Sequence, residues 1–250
     1  MIKMVVSDFY DTLINCEEAI SINTMLSIDN IRNNNILFVV ATSRSLRTIL
    51  DYNESYIFSD YIISYNGAYV YDTNKDIVLY KKNMVLSTIK KIAKIGAKSI
   101  GFLTLNDTFY IGNDNKYNFS IKIDDIDEFI DFHKKDIYEI VIYDTKAKLN
   151  SYKKILDDMN VTYFDRDKYI EVVSKGCDKL SGVKLICREK GIELDEVLSI
   201  GCSSNDLKLI KNTIGTCVKN ATSEIKKECE YKSKYNNTNG VREIIDKYFK

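Results

Sequence analysis

Short runs of β-branched and apolar residues recur along the chain, and each breaks off into small or polar residues. Ile2 to Val6 ends at Ser7-Asp8, and Ile36 to Ala41 ends at Thr42-Ser43-Arg44. Tyr61 to Ser64 leads to Asn66-Gly67, and Val197 to Ile200 leads to Gly201-Cys202-Ser203-Ser204-Asn205-Asp206. Apolar runs without alternation read as strands buried on both faces. A helical pattern follows each, so the expected fold class is α/β, a doubly wound parallel sheet with its site at the carboxyl ends of the strands.

The texture changes from about Asn83 to Glu171. There the spacing predicts helices over Val85 to Ile95, Asp125 to His133 and Lys146 to Met159. Strands are expected over Ser99 to Leu105, Thr108 to Ile111, Tyr138 to Tyr143 and Val161 to Phe164, with Asn106-Asp107 as a tight turn. Tyr169 to Val173 reads as the segment leading back toward the core, and Asp178 as the N-cap of a helix over Lys179 to Glu189. The expected organisation is a core of residues 1–82 and 173–250 interrupted by an α+β insertion, residues 83–172.

Composition narrows the function. Lys plus Arg and Asp plus Glu are 36 each, so the chain has no basic field to hold a nucleic acid backbone or an anionic membrane surface. No apolar run approaches the ~20 residues of a membrane span. Met1 to Leu13 alternates charge with apolar residues unlike a signal peptide, and a cytoplasmic protein is expected. The single histidine, His133, sits among charged neighbours and reads as a solvated surface residue, which removes Ser-His-Asp and multi-histidine zinc chemistry. Cys16, Cys177, Cys187, Cys202, Cys217 and Cys229 form no Cys-x-x-Cys pair and read as reduced thiols. The absence of proline is compositional bias without functional content.

Asp8-Phe-Tyr-Asp-Thr-Leu13, Thr42, Asn66-Gly-Ala68, Lys175-Gly-Cys-Asp-Lys179, Gly201 to Asp206, Asn220-Ala221 and Asn239-Gly-Val241 stand in one order along the chain. That order resembles the haloacid dehalogenase (HAD) superfamily, and more narrowly its Cof-type branch of Mg²⁺-dependent phosphatases with an α/β cap inserted in a HAD-like core. The resemblance implies a small phosphorylated metabolite as ligand and Asp8 as nucleophile, since an aspartate at a strand end can form an acyl phosphate. It implies that Thr12, Thr42, Ser43, Asn66 and Lys179 hold the phosphoryl group, whose charge a hydroxyl and an ammonium neutralise. It also implies Mg²⁺ held by Asp8, the backbone carbonyl of Tyr10 and acidic positions of the last motif, which here are Cys202 and Asp206. Asn205 is a further site residue in the same segment.

The departures from the family pattern bear on activity. Tyr10 stands where these phosphatases carry the aspartate that protonates the leaving group and then activates water. Asp11 stands where most have glycine and is a candidate displaced acid/base. Cys202 replaces a hard carboxylate by a soft thiol, for which the blander reading is a small residue filling the space. Leu180 follows Lys179 where glycine is usual. Loss of a general acid/base costs ~10²–10⁴-fold in rate. The expectation is a HAD-type hydrolase of low activity with weakly held Mg²⁺. One alternative is a phosphometabolite-binding or regulatory protein without catalysis. Another is a metal-free dehalogenase-like hydrolase, suggested by Tyr10 together with Ser203-Ser204-Asn205.

Overall fold

The computed structural model describes residues 1–14, 19–53, 58–112, 119–156, 159–164 and 169–249, and Cys16 lies outside them. Strand β1 (Met4–Ser7) is buried at every position, as a Val-rich run in the middle of a parallel sheet must be. After helix α1 (Ile22–Asn33), β2 (Leu37–Ala41) pairs parallel to β1, with Ser7 opposite Val40. Helix α2 (Leu46–Asn53) leads to β3 (Tyr61–Ser64), parallel to β2. The chain then reverses in the antiparallel strands β4 (Tyr69–Asp72) and β5 (Ile77–Lys81) at the sheet edge.

A second sheet follows. Helix α3 (Leu86–Ala93) precedes the hairpin of β6 (Ser99–Leu103) and β7 (Thr108–Gly112), whose loop is closed by Thr104, both through its N–H and through its hydroxyl, on the Asp107 carbonyl. Next come β8 (Ile121–Lys122), α4 (Ile126–His133), β9 (Glu139–Tyr143), α5 (Lys146–Ile155), β10 (Asn160–Phe164) and β11 (Tyr169–Val173). Asp125 caps α4 by accepting from the N–H groups of Asp127 and Glu128. The sheet order is β10-β11-β9-β6-β7-β8. One face packs against the helices through Ile100, Phe102, Ile140, Ile142, Ile170 and Val172. Alternate positions, including Val141 and Val173, share the core cluster with residues of the first sheet.

The chain returns through α6 (Lys179–Lys190), β12 (Val197–Gly201), α7 (Leu207–Asn212), β13 (Ile214–Cys217), α8 (Ser223–Glu228), β14 (Tyr231–Lys232) and α9 (Asn237–Tyr248). β12 pairs parallel to β1 on the side opposite β2, giving the order β14-β13-β12-β1-β2-β3-β4-β5. Among the described residues no helix is long and apolar enough to cross a membrane.

Three expectations change. Tyr169–Val173, expected only to lead back toward the core, is itself a strand of the second sheet. It inserts between β9 and β10, where Ile170 and Val172 complete the apolar face of the second sheet. His133 is not a solvated surface group, because its ring packs on Phe109, Phe129 and Phe132 at centroid distances of 4.7–4.8 Å. The first sheet has four strands beyond those expected: β4, β5, β13 and β14. The five cysteines among the described residues form no disulfide.

Candidate functional site

The central strands β2, β1 and β12 end side by side. The pairing of Ser7 with both Val40 and Ile200 brings Asp8, Thr42 and Cys202 out at neighbouring strand ends. The Asp8 N–H donates to the Ile200 carbonyl at 2.9 Å, which extends the ladder one step and fixes the carboxylate at the sheet edge. The chain then turns sharply over Phe9–Leu13, with Asp11 in the left-handed region at φ 57° and buried Phe9, Thr12 and Leu13 anchoring the loop below. The Thr12 hydroxyl donates to Asp8 Oδ2 at 3.0 Å.

Lys179 opens α6 and lies buried, its Nζ donating to Asp8 Oδ1 and to Asp206 Oδ1, each at 2.7 Å. Its placement depends on the preceding turn. Asp178 caps α6 in a reciprocal pair with Ser181, and Gly67 packs against Asp178 so closely that a Cβ there would lie 2.1 Å from the Asp178 carbonyl oxygen. Gly67 also has φ +90°, so only glycine fits. Burial alone would push the Lys179 ammonium down, but the charges of Asp206 and Asp8 outweigh it and hold its pKa above the ordinary value.

Asp206 is fully engaged. Its Oδ1 accepts from Lys179, and its Oδ2 accepts from the N–H groups of Cys202 and Ser203 at 2.9 and 3.0 Å. Gly201 permits this approach, since a Cβ there would meet the Asp206 side chain at 2.6 Å. Burial and the charge of Asp8 raise the Asp206 carboxyl, against the opposing pull of Lys179. Cys202 Sγ lies 3.5 Å from Asp8 Oδ2 and 3.8 Å from the Tyr10 carbonyl oxygen. Burial first, then the charges of Asp8 and Asp206, push its thiol well up, so the sulfur is protonated at neutral pH.

One atom each of Asp8, Cys202 and Asp206 falls within 4.8 Å of the others, which is compact enough for a cation. The donor chemistry suits magnesium in a limited way. Asp8 and the Tyr10 carbonyl are hard oxygens, the thiol is a poor Mg²⁺ ligand, and both Asp206 oxygens already serve other donors. Such a set fits an ion that also draws ligands from a phosphate and from water.

A second polar group lies between the two sheets. Thr42 is buried, its hydroxyl accepts from the Arg44 N–H at 3.1 Å, and its carbonyl accepts from the Asn66 N–H at 3.0 Å. Asn66 Nδ2 donates to Glu171 Oε2 at 2.7 Å and to Glu139 Oε2 at 3.3 Å, while its Oδ1 accepts from Asn205 Nδ2 at 3.0 Å. The Ser43 hydroxyl bonds Glu171 as well. Burial and then the charge of Glu171 raise the Glu139 carboxyl well above the usual range, and burial raises Glu171 too, against the pull of Asn66 and Ser43. The Tyr65 hydroxyl donates to the Thr104 carbonyl at 2.8 Å, a further tie between the sheets.

The structure thus gathers Asp8, Thr12, Lys179, Cys202, Asp206 and the Tyr10 carbonyl at one point, and Ser43, Asn66 and Asn205 at an adjoining one under Thr42. The Tyr10 ring lies under the Arg44 guanidinium at 4.3 Å. Asp11 is exposed and stands outside both groups, held by its carbonyl accepting from Asn220 Nδ2 at 2.7 Å. Sequence reasoning missed Glu139 and Glu171. The signal available was a lone acid within each apolar strand, Glu139-Ile-Val-Ile-Tyr143 and Tyr169-Ile-Glu-Val-Val173.

The family model described as haloacid dehalogenase-like hydrolase matches residues 5–245. The 5-amino-6-(5-phospho-D-ribitylamino)uracil phosphatase YcsE of Bacillus subtilis is 25% identical, the alignment covering 98% of this chain and 94% of that protein. A HAD-superfamily phosphatase from Bacteroides thetaiotaomicron superposes with a TM-score of 0.87 at 17% identity, covering 99% of this chain and 95% of that one. A HAD subclass IIB sugar phosphatase superposes with a TM-score of 0.84 at 19% identity over 98% of each chain.

Proposed function

We propose, from the premise that the chain belongs to the haloacid dehalogenase-like hydrolase family, that it is a Cof-type phosphatase of low turnover acting on a small phosphorylated metabolite. The observation that carries this is the buried Lys179 ammonium bridging Asp8 and Asp206 at the carboxyl ends of β1 and β12. The segment 83–172 is read as the cap, the part of the chain that covers the ester.

In this reading an Asp8 oxygen attacks phosphorus and the ester P–O bond breaks, leaving an aspartyl phosphate and the freed alcohol. Water then attacks that phosphorus, releasing inorganic phosphate and restoring Asp8. Lys179 and the hydroxyls of Thr12 and Thr42 hold the phosphoryl oxygens as charge builds on them, and Asp206 keeps Lys179 in place. Mg²⁺ held by Asp8 and the Tyr10 carbonyl, together with the substrate phosphate, would neutralise further charge. Tyr10 offers no carboxyl to protonate the departing oxygen, so that proton comes from solvent, at a cost of ~10²–10⁴-fold in rate.

The test is phosphate release from a panel of phosphomonoesters with and without Mg²⁺. Slow, Mg²⁺-stimulated release is expected, abolished in Asp8→Asn. Release that persists at the wild-type level in Asp8→Asn removes the mechanism. A second reading, a binding protein without turnover, draws support from the thiol at Cys202 and the full engagement of Asp206. It requires esters to bind by calorimetry yet never to release phosphate.

A further inference from the structure

The polar group between the sheets holds two buried carboxyls that the phosphatase mechanism does not use. Glu139 and Glu171 are both buried, they stand side by side on a single Asn66 amide, and Glu171 also takes the Ser43 hydroxyl. The nearby buried cation bonds neither of them: the Lys179 ammonium donates to Asp8 and Asp206 and reaches the pair only through its charge. Arg44 is exposed, seated over the Tyr10 ring, and reaches the pair only through its field.

Two acceptors here are left over. Among the described residues, Glu139 Oε1 and Asn205 Oδ1 are buried without a hydrogen-bond partner. A buried acceptor without a donor is costly, and a native fold that keeps one supplies the donor from elsewhere. The position points to the source. Ser43 follows Thr42 directly, and an in-line displacement at phosphorus sends the ester oxygen away from Asp8. The segment that closes over those strand ends is the second sheet, through Tyr65 to Thr104, Asn66 to Glu139 and Ser43 to Glu171. The second sheet thus brings Glu139 and Glu171 to Asn66 and Ser43, beside the strand end that would receive the alcohol part of a bound ester.

We propose that Glu139 and Glu171 form the subsite for that alcohol, and that it takes a positively charged nitrogen, making the substrate the phosphomonoester of an amino alcohol or amino sugar. An ammonium brings donors only, and its charge favours ionisation of two carboxyls that burial otherwise keeps protonated, which suits a pair beside an unpartnered oxygen. The inference rests on the phosphatase reading and adds the class of leaving group to it. Val141 and Val173, flanking the two acids on the same face of the sheet, leave the rest of the subsite apolar.

The experiment compares esters matched in shape. O-phosphoethanolamine is set against propyl phosphate, and glucosamine 6-phosphate against glucose 6-phosphate. Binding to Asp8→Asn is measured by calorimetry, and kcat/KM is measured for the wild type in Mg²⁺. Inorganic phosphate binding and p-nitrophenyl phosphate hydrolysis serve as the control for the phosphate site itself. The amine of each pair is expected to be favoured roughly tenfold or more, the scale of a charge-assisted hydrogen bond. That ratio should fall toward one in Glu139→Gln and in Glu171→Gln, each near-isosteric with the native residue. Equal treatment of amine and neutral esters, or preference for the neutral ones, while the phosphate control succeeds overturns this inference alone. Failure of the control and of all four esters overturns the phosphatase reading and this inference with it.

Discussion

Cys202 shows how one side chain sets the character of the centre. Its sulfur faces Asp8 and the Tyr10 carbonyl, where a carboxylate would complete a hard-oxygen set. Cys202→Asp adds a third buried acid beside Asp8 and Asp206, with Lys179 as the one cation bonded to them among the described residues. Without metal the variant is expected to melt below wild type, and with Mg²⁺ to recover and bind the ion about tenfold or more tightly. Thermal melts in chelator and in Mg²⁺ check both parts, and equal Mg²⁺ affinity in the two proteins contradicts the assignment. Tyr10→Asp supplies the other missing group. Proton delivery and charge neutralisation act on one transition state, so the double variant Tyr10→Asp with Cys202→Asp should gain ~10²-fold or more in kcat/KM, well beyond the product of the single gains. Purely multiplicative effects in the four-protein cycle would separate the two roles. Asp8, Thr12, Lys179, Cys202 and Asp206 were named from the sequence through the family resemblance, and the parallel register that aligns the ends of β1 and β12 with the start of α6 is what brings them together.

At the scale of elements, one close contact decides whether α6 presents Lys179 correctly. Gly67 and Gly176 both have positive φ, +90° and +86°, but a Cβ at Gly67 would overlap the Asp178 carbonyl while one at Gly176 meets open space. Gly176→Ala is expected to cost about 1 kcal/mol from backbone strain, and Gly67→Ala a further 2 kcal/mol or so from the forced shift of the helix start. Urea titrations measure the difference, and equal costs would mean that the α6 start moves freely. The same close packing explains what the pattern of apolar residues did and did not reveal. β1, β2, β3 and β12 are buried on both faces and stand out as unbroken runs. β5 is an edge strand with exposed residues and β14 is only two residues long, so neither carries a strong pattern. β11 read only as a segment leading back toward the core, since a connection to the first sheet and an insertion beside β9 demand the same apolar residues. Glu139 and Glu171 escaped for a related reason: a lone acid in an apolar strand is visible, but the pattern does not say whether it faces solvent or a second sheet.

For the whole molecule, the two sheets meet across a polar junction whose ionisation is coupled to folding. In the unfolded chain Glu139 titrates near its ordinary value of 4.5, whereas in the folded protein burial and the charge of Glu171 move its titration to higher pH. Between those values the folded state keeps a proton that the unfolded state has released, so stability falls as pH rises through that window. Below the unfolded value both states are protonated and this slope disappears. Each unit of displacement corresponds to about 1.4 kcal/mol of stability withdrawn by the time the folded carboxyl ionises. Asp206 is raised as well and adds a loss of the same sign, but it is common to both proteins when wild type is compared with Glu139→Gln. Lys179, raised above its ordinary value, adds its own loss only in the alkaline range and leaves the interval from pH 5 to 8 untouched. Glutamine at 139 can still accept from Asn66 and carries no charge at any pH. The ligand-free wild type should therefore lose more melting temperature between pH 5 and pH 8 than Glu139→Gln, and the variant should be the more stable of the two at pH 8. Parallel profiles would mean that water reaches the pair between the sheets and that Glu139 is charged in the folded protein at little cost. A steeper fall in the variant would mean that the carboxylate, not the neutral acid, is the form that holds Asn66.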